Sequence, residues 1–180
     1  MKRKLSKVLH FAVYSIPMHL IYLITGLIPN STPGNIIRGF LLRPFFKRCG
    51  RNFQVASGVI FIQPQNIEIG QNVYIAHNAW IGGGGGLIIG DEVIISPMVL
   101  ITSGKHTLTG DSVRYGDVVS LPTRIGKGSW ISSHVTVCGG VTVGDGTVVA
   151  ANAAVTKDIP ENSFAYGVPA VYRPRKGTGA

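Results

Sequence analysis

The chain has 180 residues, which is enough for one well-formed domain with a short appendage and too few for two independent cores. Hydrophobic residues make up 45% of the chain and charged residues only 14%, so the composition excludes a disordered protein. The formal net charge of +9 favours an anionic partner, namely nucleic acid, a lipid surface or a phosphorylated ligand.

The first fifty residues are apolar and basic, and no acidic residue precedes Glu68. The cations alternate with long aliphatic runs instead of forming a polar stripe, so we expect no nucleic-acid partner. Residues 8–28 carry no charged side chain and are long enough to span a bilayer, but Pro17, His10 and His19 disfavour a full span. We expect a helix that lies at the cytoplasmic face of a membrane, or one that packs against protein.

Residues 30–50 are expected to form a linker followed by a short basic amphipathic helix, because Pro29, Pro33 and Gly34 interrupt the chain before it. Its four cations could face lipid headgroups or water; they are Arg38, Arg43, Lys47 and Arg48. Cys49 and Cys138 are too few for a disulfide framework, so a reducing cytoplasm is the expected compartment.

From residue 69 onward, an aliphatic residue followed by a small residue recurs every six positions. The register slips by two residues at a run of glycines and is interrupted between Ile101 and Ile125. A period of six matches neither an α-helix nor a simple alternating sheet, so it indicates a short strand plus a turn, repeated as a solenoid with the aliphatic residues inside. The aliphatic positions are Ile69, Ile75, Ile81, Ile89, Ile95, Ile101, Ile125, Ile131, Val137, Val143, Val149 and Val155.

The repeat ends in the strings VTKDIP at residues 155–160 and GVPA at residues 167–170. Together with the six-residue period, these strings resemble the hexapeptide-repeat acyltransferases. The resemblance covers residues 51–172 and implies an all-β fold, a left-handed parallel β-helix, preceded by a helical segment at residues 1–50 and followed by a basic tail at residues 173–180. It also implies homotrimers with active sites between subunits and acetyl-CoA as the acyl donor. We expect no metal, because His77, His106 and His134 do not have the spacing of a three-histidine site.

A polar loop, residues 103–123, interrupts the repeat and contains His106. Loops that leave a rigid solenoid are where function concentrates. Attack by a hydroxyl on a thioester needs a base, and histidine suits that task near neutral pH. His106 lies where the sugar O-acetyltransferase branch of the family has its catalytic histidine, so the resemblance implies that it is the general base.

The same resemblance assigns acceptor binding to Asn78 and Trp130. From the residues alone, Asn78 could equally be a corner residue with positive φ, and Trp130 could be a hydrophobic residue at a trimer seam. The resemblance also implies that five residues contact coenzyme A. The family usually has an arginine where this chain has Pro174, so the neighbouring Arg173 is assigned that contact. The five residues are Ser133, Ala151, Thr156, Lys157 and Arg173.

The expected function is acetyl-CoA-dependent O-acetylation of a sugar hydroxyl. The apolar, basic N-terminal segment resembles that of exopolysaccharide and capsule-biosynthesis acetyltransferases, which implies a lipid-linked glycan acceptor at the inner face of the membrane. Three alternatives remain open at this point: an antibiotic O-acetyltransferase, an amino-sugar N-acetyltransferase in which Asp111 or Asp117 supports the histidine, and a non-catalytic β-helical scaffold.

Overall fold

Short parallel strands stack into three sheets in the computed structural model, which describes residues 11–175. The chain visits the sheets in the order A, B, C and completes about six turns. Sheet A contains β1 (Arg48–Cys49), β4 (Ile67–Ile69), β7 (Leu87–Ile89), β12 (Thr123–Ile125) and β15 (Thr142–Val143). Sheet B contains β2 (Gln54–Val55), β5 (Tyr74–Ile75), β8 (Ile94–Ile95), β13 (Trp130–Ile131), β16 (Val148–Val149), β18 (Ser163–Tyr166) and β19 (Val171–Pro174). Sheet C contains β3 (Ile60–Ile62), β6 (Trp80–Gly82), β9 (Leu100–Ile101), β14 (Thr136–Val137) and β17 (Ala154–Val155).

The interior of the solenoid is built from the repeated aliphatic residues. All twelve are at most 2% exposed, as the six-residue period predicts. Each stacks on its equivalent one turn away, so that Ile75 pairs in register with Ile95, and Ile95 pairs with Ile131. The prediction of inward ladders is therefore confirmed, and hydrophobic burial between stacked turns is the main stabilising term of the fold.

The corners of the prism fall at a regular place in the repeat. The third residue after an inward aliphatic residue has a left-handed backbone, as at Asn72 (φ 56°), Asn78 (φ 57°) and Asn152 (φ 61°). Asparagine tolerates this conformation better than most residues. Each corner can therefore turn tightly without breaking the ladder of hydrogen bonds between turns.

Two helices close the N-terminal end of the solenoid. A π-helical turn (Phe11–Ser15) leads into α1 (Ile16–Gly26), and α2 spans Thr32–Leu42 and continues as a 3-10 turn (Arg43–Phe45). The Ser31 hydroxyl caps α2 by accepting a hydrogen bond from the Gly34 N–H at 3.3 Å. Below the first turn, Phe46 packs edge-on against Phe53 and Phe61 with ring centroids 5.5 and 4.9 Å apart.

The helices cover the free edge of the first turn, where strand N–H and C=O groups would otherwise lack partners. Phe61 N–H donates to the Tyr22 hydroxyl of α1 at 3.4 Å. Beyond α1, the Asn30 amide exchanges two hydrogen bonds with Ser57, at 2.7 and 2.9 Å. In α2, Gly39 lies so close to the Phe53 carbonyl that a Cβ there would be 1.9 Å from its oxygen. The two helices are thus an integral end cap.

The buried guanidinium of Arg38 joins the two helices. It is 3% exposed and donates to the carbonyl oxygens of Thr25 and Ile28 at the end of α1, and to the Asn35 side chain. A cation at this end of a helix satisfies carbonyls that have no partner within the helix. Arg38 therefore does not face lipid headgroups or water, the two environments that the sequence left open for it.

The solenoid extends slightly further than residues 51–172. Its first strand begins at Arg48, and its last strand, β19, pairs with β18 in antiparallel register as far as Pro174. Arg173 therefore belongs to a strand and not to a tail. Within residues 11–175, no helix is both long and apolar enough to cross a bilayer.

Candidate active site at two corners of the solenoid

The polar loop leaves the solenoid between β9 in sheet C and β12 in sheet A. Its base is an antiparallel hairpin formed by β10 (Gly104–His106) and β11 (Val118–Ser120), in which His106 lies opposite Val118. Thr107 N–H donates to the Asp117 carbonyl at 2.9 Å and extends the pairing by one residue. The side chain of His106 is exposed, whereas its backbone is fixed by the regular hydrogen bonds of the hairpin.

Two buried hydroxyls hold the neck of this hairpin. Ser103 is 2% exposed, donates to the Gly82 carbonyl at 2.7 Å and accepts from Gly85 N–H at 2.9 Å. Thr123, also 2% exposed, donates to the Thr102 carbonyl at 2.9 Å and accepts from Gly140 N–H at 3.0 Å. The loop is thus bonded to the turn below it and to the turn above it.

We expect Thr123→Val to reduce turnover by about 10-fold or more, because a small displacement of a catalytic group has a large effect on rate. Valine keeps the shape of the side chain but removes the acceptor of Gly140 N–H and the donor to the Thr102 carbonyl, two part-buried hydrogen bonds worth about 0.5–1.5 kcal/mol each. The measurement is kcat for acetyl-CoA-dependent thiol release. Thr109→Val, an exposed site in the same loop, is the matched control, and an equal effect of both substitutions would contradict the anchoring role of Thr123.

The imidazole of His106 makes no hydrogen bond or ion pair with any residue of the range 11–175. In particular, neither Asp111 nor Asp117 pairs with it. The two salt bridges of this range lie elsewhere, one joining Lys47 to Glu68 at 2.8 Å and the other using Asp145. The ring nitrogens are consequently free to meet a substrate.

The predicted site residues fall into two groups on the surface. We define the CA corner as the stacked turns from sheet C to sheet A (residues 102–103, 138–140 and 156–158), and the BC corner as those from sheet B to sheet C (residues 77–78, 97–98, 133–134 and 151–152). The CA group contains His106, which leaves this corner on its hairpin, with Thr156 and Lys157. The BC group contains Asn78, Ser133 and Ala151 at the corner, with Trp130 and Arg173 on sheet B.

Within one chain, the two groups lie on opposite sides of sheet C. Ser133 on the BC corner and Gly139 on the CA corner are six residue steps apart, up to about 20 Å of extended chain. Strand β14 of sheet C lies between them and separates a base on the CA corner from Asn78 and Trp130 of the same chain. His106 does not line the clefts on the surface of residues 11–175 that are formed beside sheet A and beside the capping helices. A single chain therefore does not bring the predicted residues into one site.

Trp130 has a defined orientation on sheet B. Its indole N–H donates to the Ser96 hydroxyl at 2.8 Å, and the side chain remains 48% exposed. Its backbone pairs with Ile94 on one side and Val148 on the other. An aromatic ring held in this way offers a flat apolar face and loses little entropy when it binds a partner. The arrangement is compatible both with substrate binding and with a subunit seam.

The predicted coenzyme A residues are accessible. Ala151, Thr156 and Lys157 are exposed, and Ser133 is partly exposed at its corner. Ser133 and Ala151 stack in consecutive turns through a hydrogen bond from Asn152 N–H to the Ser133 carbonyl at 3.0 Å. Within residues 11–175, no group of three or more His, Cys, Asp or Glu side chains is arranged to bind a metal ion.

Arg173 lies at the C-terminal end of sheet B. Its guanidinium is 5.4 Å from the centroid of the Phe164 ring, opposite which its backbone pairs. This contact orients the charge without neutralising it. Arg173 thus lies on the same sheet as Trp130.

Asn78 is a corner residue with a left-handed backbone (φ 57°), which was the alternative to a role in acceptor binding. Its side-chain oxygen lies against Gly58, where a Cβ would be 2.0 Å away. The same corner holds Met98 (φ 60°) and His134 (φ 61°), and methionine rarely adopts this backbone. Strain of this kind concentrates at functional sites. Met98 and His134 were not among the predicted site residues, although both occupy the repeat position that Asn or Gly fills in most other turns.

The two cysteines differ in position. Burial raises the pKa of the Cys49 thiol to about 11, although nearby Arg43 partly opposes the shift, so Cys49 stays protonated and a poor nucleophile at neutral pH. Cys138 lies in the CA corner, where its N–H donates to the Val155 carbonyl at 3.0 Å. It is partly exposed and close to the neck of the loop, a proximity that its position in the sequence did not reveal.

Comparisons with known proteins agree with this architecture. A profile of the family "Bacterial transferase hexapeptide (six repeats)" matches residues 122–157. The galactoside O-acetyltransferase of Escherichia coli K12 is 39% identical over 132 residues, which are 73% of this chain and 65% of that protein. The putative colanic acid biosynthesis acetyltransferase WcaF of the same organism is 31% identical over 134 residues, or 74% of this chain and 72% of that protein.

A solved structure, a galactoside acetyltransferase in complex with coenzyme A, superposes with a TM-score of 0.79 at 33% identity and covers 89% of this chain and 80% of that one. The chain belongs to the hexapeptide-repeat family of acetyltransferases. Its fold is the left-handed parallel β-helix of that family, as the sequence predicted.

Proposed function

We propose that this protein transfers an acetyl group from acetyl-CoA to a hydroxyl of a sugar, with His106 as the general base. The observation that carries the proposal is the position of His106 on a short hairpin that buried hydroxyls fix to a rigid solenoid, with both ring nitrogens free. The relatives named for galactoside and colanic acid acetylation support a sugar acceptor.

The chemical role of His106 is to remove the proton of the acceptor hydroxyl as its oxygen attacks the acetyl carbonyl. The new ester forms as the thiolate of coenzyme A leaves, and the imidazolium returns the proton to that sulfur. No acyl-enzyme is needed, and the protonated thiol of Cys49 supports direct transfer. Lys157 and Arg173 would provide positive charge for the phosphates of coenzyme A, and Ser133 and Thr156 would provide hydroxyls for its amides.

The active site in this proposal lies between two chains of a homotrimer. A cyclic arrangement can place the CA corner of one subunit against the BC corner of the next. His106 would then face Asn78 and Trp130 of the neighbouring copy of the chain. The separation of the two groups on opposite sides of sheet C supports this arrangement.

The proposed acceptor is a lipid-linked glycan intermediate of exopolysaccharide or capsule synthesis, acetylated at the inner face of the membrane. The basic and apolar N-terminal segment supports this location, and the similarity to the colanic acid acetyltransferase supports the acceptor class. An amino-sugar N-acetyltransferase would have an acidic residue beside the histidine. Support for this alternative is weaker, because neither Asp111 nor Asp117 contacts His106.

The test is thiol release from acetyl-CoA by the full chain, with a membrane extract that contains lipid-linked glycans, with galactosides, and with matched amino sugars. We expect acceptor-dependent release, greatest with the lipid-linked fraction, and base-labile acetyl ester in the product. Release with amino sugars only would identify an N-acetyltransferase. A chain that neither releases thiol nor binds coenzyme A would be a scaffold.

A further inference from the structure

The outer face of the N-terminal cap is apolar. In α1, the side chains that contact the solenoid or lie buried recur at Met18, Tyr22 and Thr25. The opposite face carries aliphatic side chains at the helical spacing i, i+4, i+7, i+8 and i+11, and all are exposed. They are Ile16, Leu20, Leu23, Ile24 and Leu27, the last of them 89% exposed. A stripe of this regularity is typical of a helix that binds a second apolar surface.

Helix α2 repeats the arrangement. Its inward face buries Gly39 and Leu42 against the first turn, while Ile36, Ile37 and Phe40 are exposed, with Phe40 69% exposed. Solenoid proteins ordinarily end in caps with a polar outer face, which keeps them soluble. Here the outer faces of both capping helices are apolar instead. We call the exposed residues the cap face; it comprises Leu20, Leu23, Ile24, Leu27, Ile36, Ile37 and Phe40.

Positive charge surrounds the same end of the molecule. Arg43 follows α2, and Arg48 and Arg51 lie on the first turn of the solenoid; all three are exposed. Within residues 11–175, none of the three forms a salt bridge, since the nearby Glu68 is paired with Lys47. Arg43 donates to the Cys49 carbonyl at 3.1 Å and keeps its charge. An apolar face bordered by cations that form no salt bridge is complementary to the acyl chains and anionic headgroups of a bilayer surface.

We infer that the cap face docks on an anionic membrane, with α1 and α2 lying in the interface plane and the solenoid standing away from the lipid. Each exposed leucine that leaves water for the acyl region adds to the affinity, so the whole face can hold the protein at a membrane without a spanning helix. In a cyclic trimer all three caps point to the same end of the assembly, and simultaneous contact strengthens binding further. The inference gives the proposed function a location but depends on neither its donor nor its acceptor.

The test is co-sedimentation of the full chain with vesicles of phosphatidylcholine alone or mixed with phosphatidylglycerol. We expect at least 10-fold stronger binding to the anionic vesicles, weakened by salt. Leu23→Gln/Leu27→Gln should reduce this binding by about 10-fold or more. The control is Ile88→Gln, which removes an exposed aliphatic side chain from the flank of sheet A and should bind vesicles like the wild type.

The inference is overturned if the wild type does not bind anionic vesicles, or if the double variant binds them as well as the wild type. It is also overturned if the double variant loses its oligomeric state in light scattering, because the stripe would then be a subunit contact. Acetyl transfer to a soluble acceptor should be unchanged in the double variant. If the protein binds vesicles but transfers no acetyl group, the proposed function is contradicted and the membrane inference is not.

Discussion

Replacement of His106 by alanine is expected to reduce acceptor-dependent thiol release by about 10²-fold or more. The proposed base touches the reacting hydroxyl, and no other histidine lies on the hairpin that carries it. The measurement is kcat and KM for both substrates, with the free thiol followed continuously. Because His106 is exposed and bonds to nothing in residues 11–175, the substitution should leave the melting temperature and the affinity for coenzyme A unchanged.

The matched control is Lys105→Ala, which removes an exposed side chain from the same strand. It should retain activity within a few-fold of the wild type. His106→Gln keeps a polar side chain of similar size but cannot accept the proton, so it should be as defective as alanine. If His106→Ala keeps more than about a tenth of the wild-type kcat, another group is the base.

Mixing two inactive variants is expected to restore activity if the active site lies between subunits. His106→Ala disables the CA corner, and Ala151→Trp should obstruct the BC corner without touching the histidine. In trimers assembled at random from equal amounts, about a quarter of the interfaces combine an intact CA corner with an intact BC corner. Co-expressed variants should therefore reach about a quarter of the wild-type activity, compared with about one hundredth for the His106→Ala protein alone.

The control for this experiment is a mixture of the two proteins purified separately and kept under conditions without subunit exchange. That mixture should remain inactive. Both variants should also elute as trimers and melt cooperatively, which separates loss of the site from loss of the fold. If co-assembled trimers show no recovery, each active site is contained in a single chain, and the two groups of residues on opposite sides of sheet C need another explanation.

The sequence predicted the architecture well because the repeat is local. An inward position every sixth residue specifies a strand, a corner and a burial pattern together, so the ladder from Ile69 to Val155 could be identified before any coordinates. The loop at residues 103–123 was equally visible as a break in the period. The corner reading of Asn78 was available from residue type alone, and its backbone has the expected positive φ.

The predicted roles of the site residues stay predictions, but their positions are now known. Thr156 and Lys157 belong to the corner of His106, whereas Ser133, Ala151 and Arg173 do not. Sequence spacing could not show this division, because residues far apart in the chain become neighbours only when turns stack. The corner residues Met98 and His134 could have been found from the sequence, because each follows an inward aliphatic residue by three positions.

By itself, the sequence determined the solenoid, the family and the loop that carries His106, because a six-residue period restricts backbone conformation and burial within each turn. The tertiary structure decided how the end of the solenoid is closed, through Tyr22 on the Phe61 N–H and through the buried Arg38. It also decided which side of each capping helix is buried and which apolar side is exposed. These features depend on contacts between distant segments. A helix that is apolar on several sides could bury any of them, and only tertiary packing decides which side is buried.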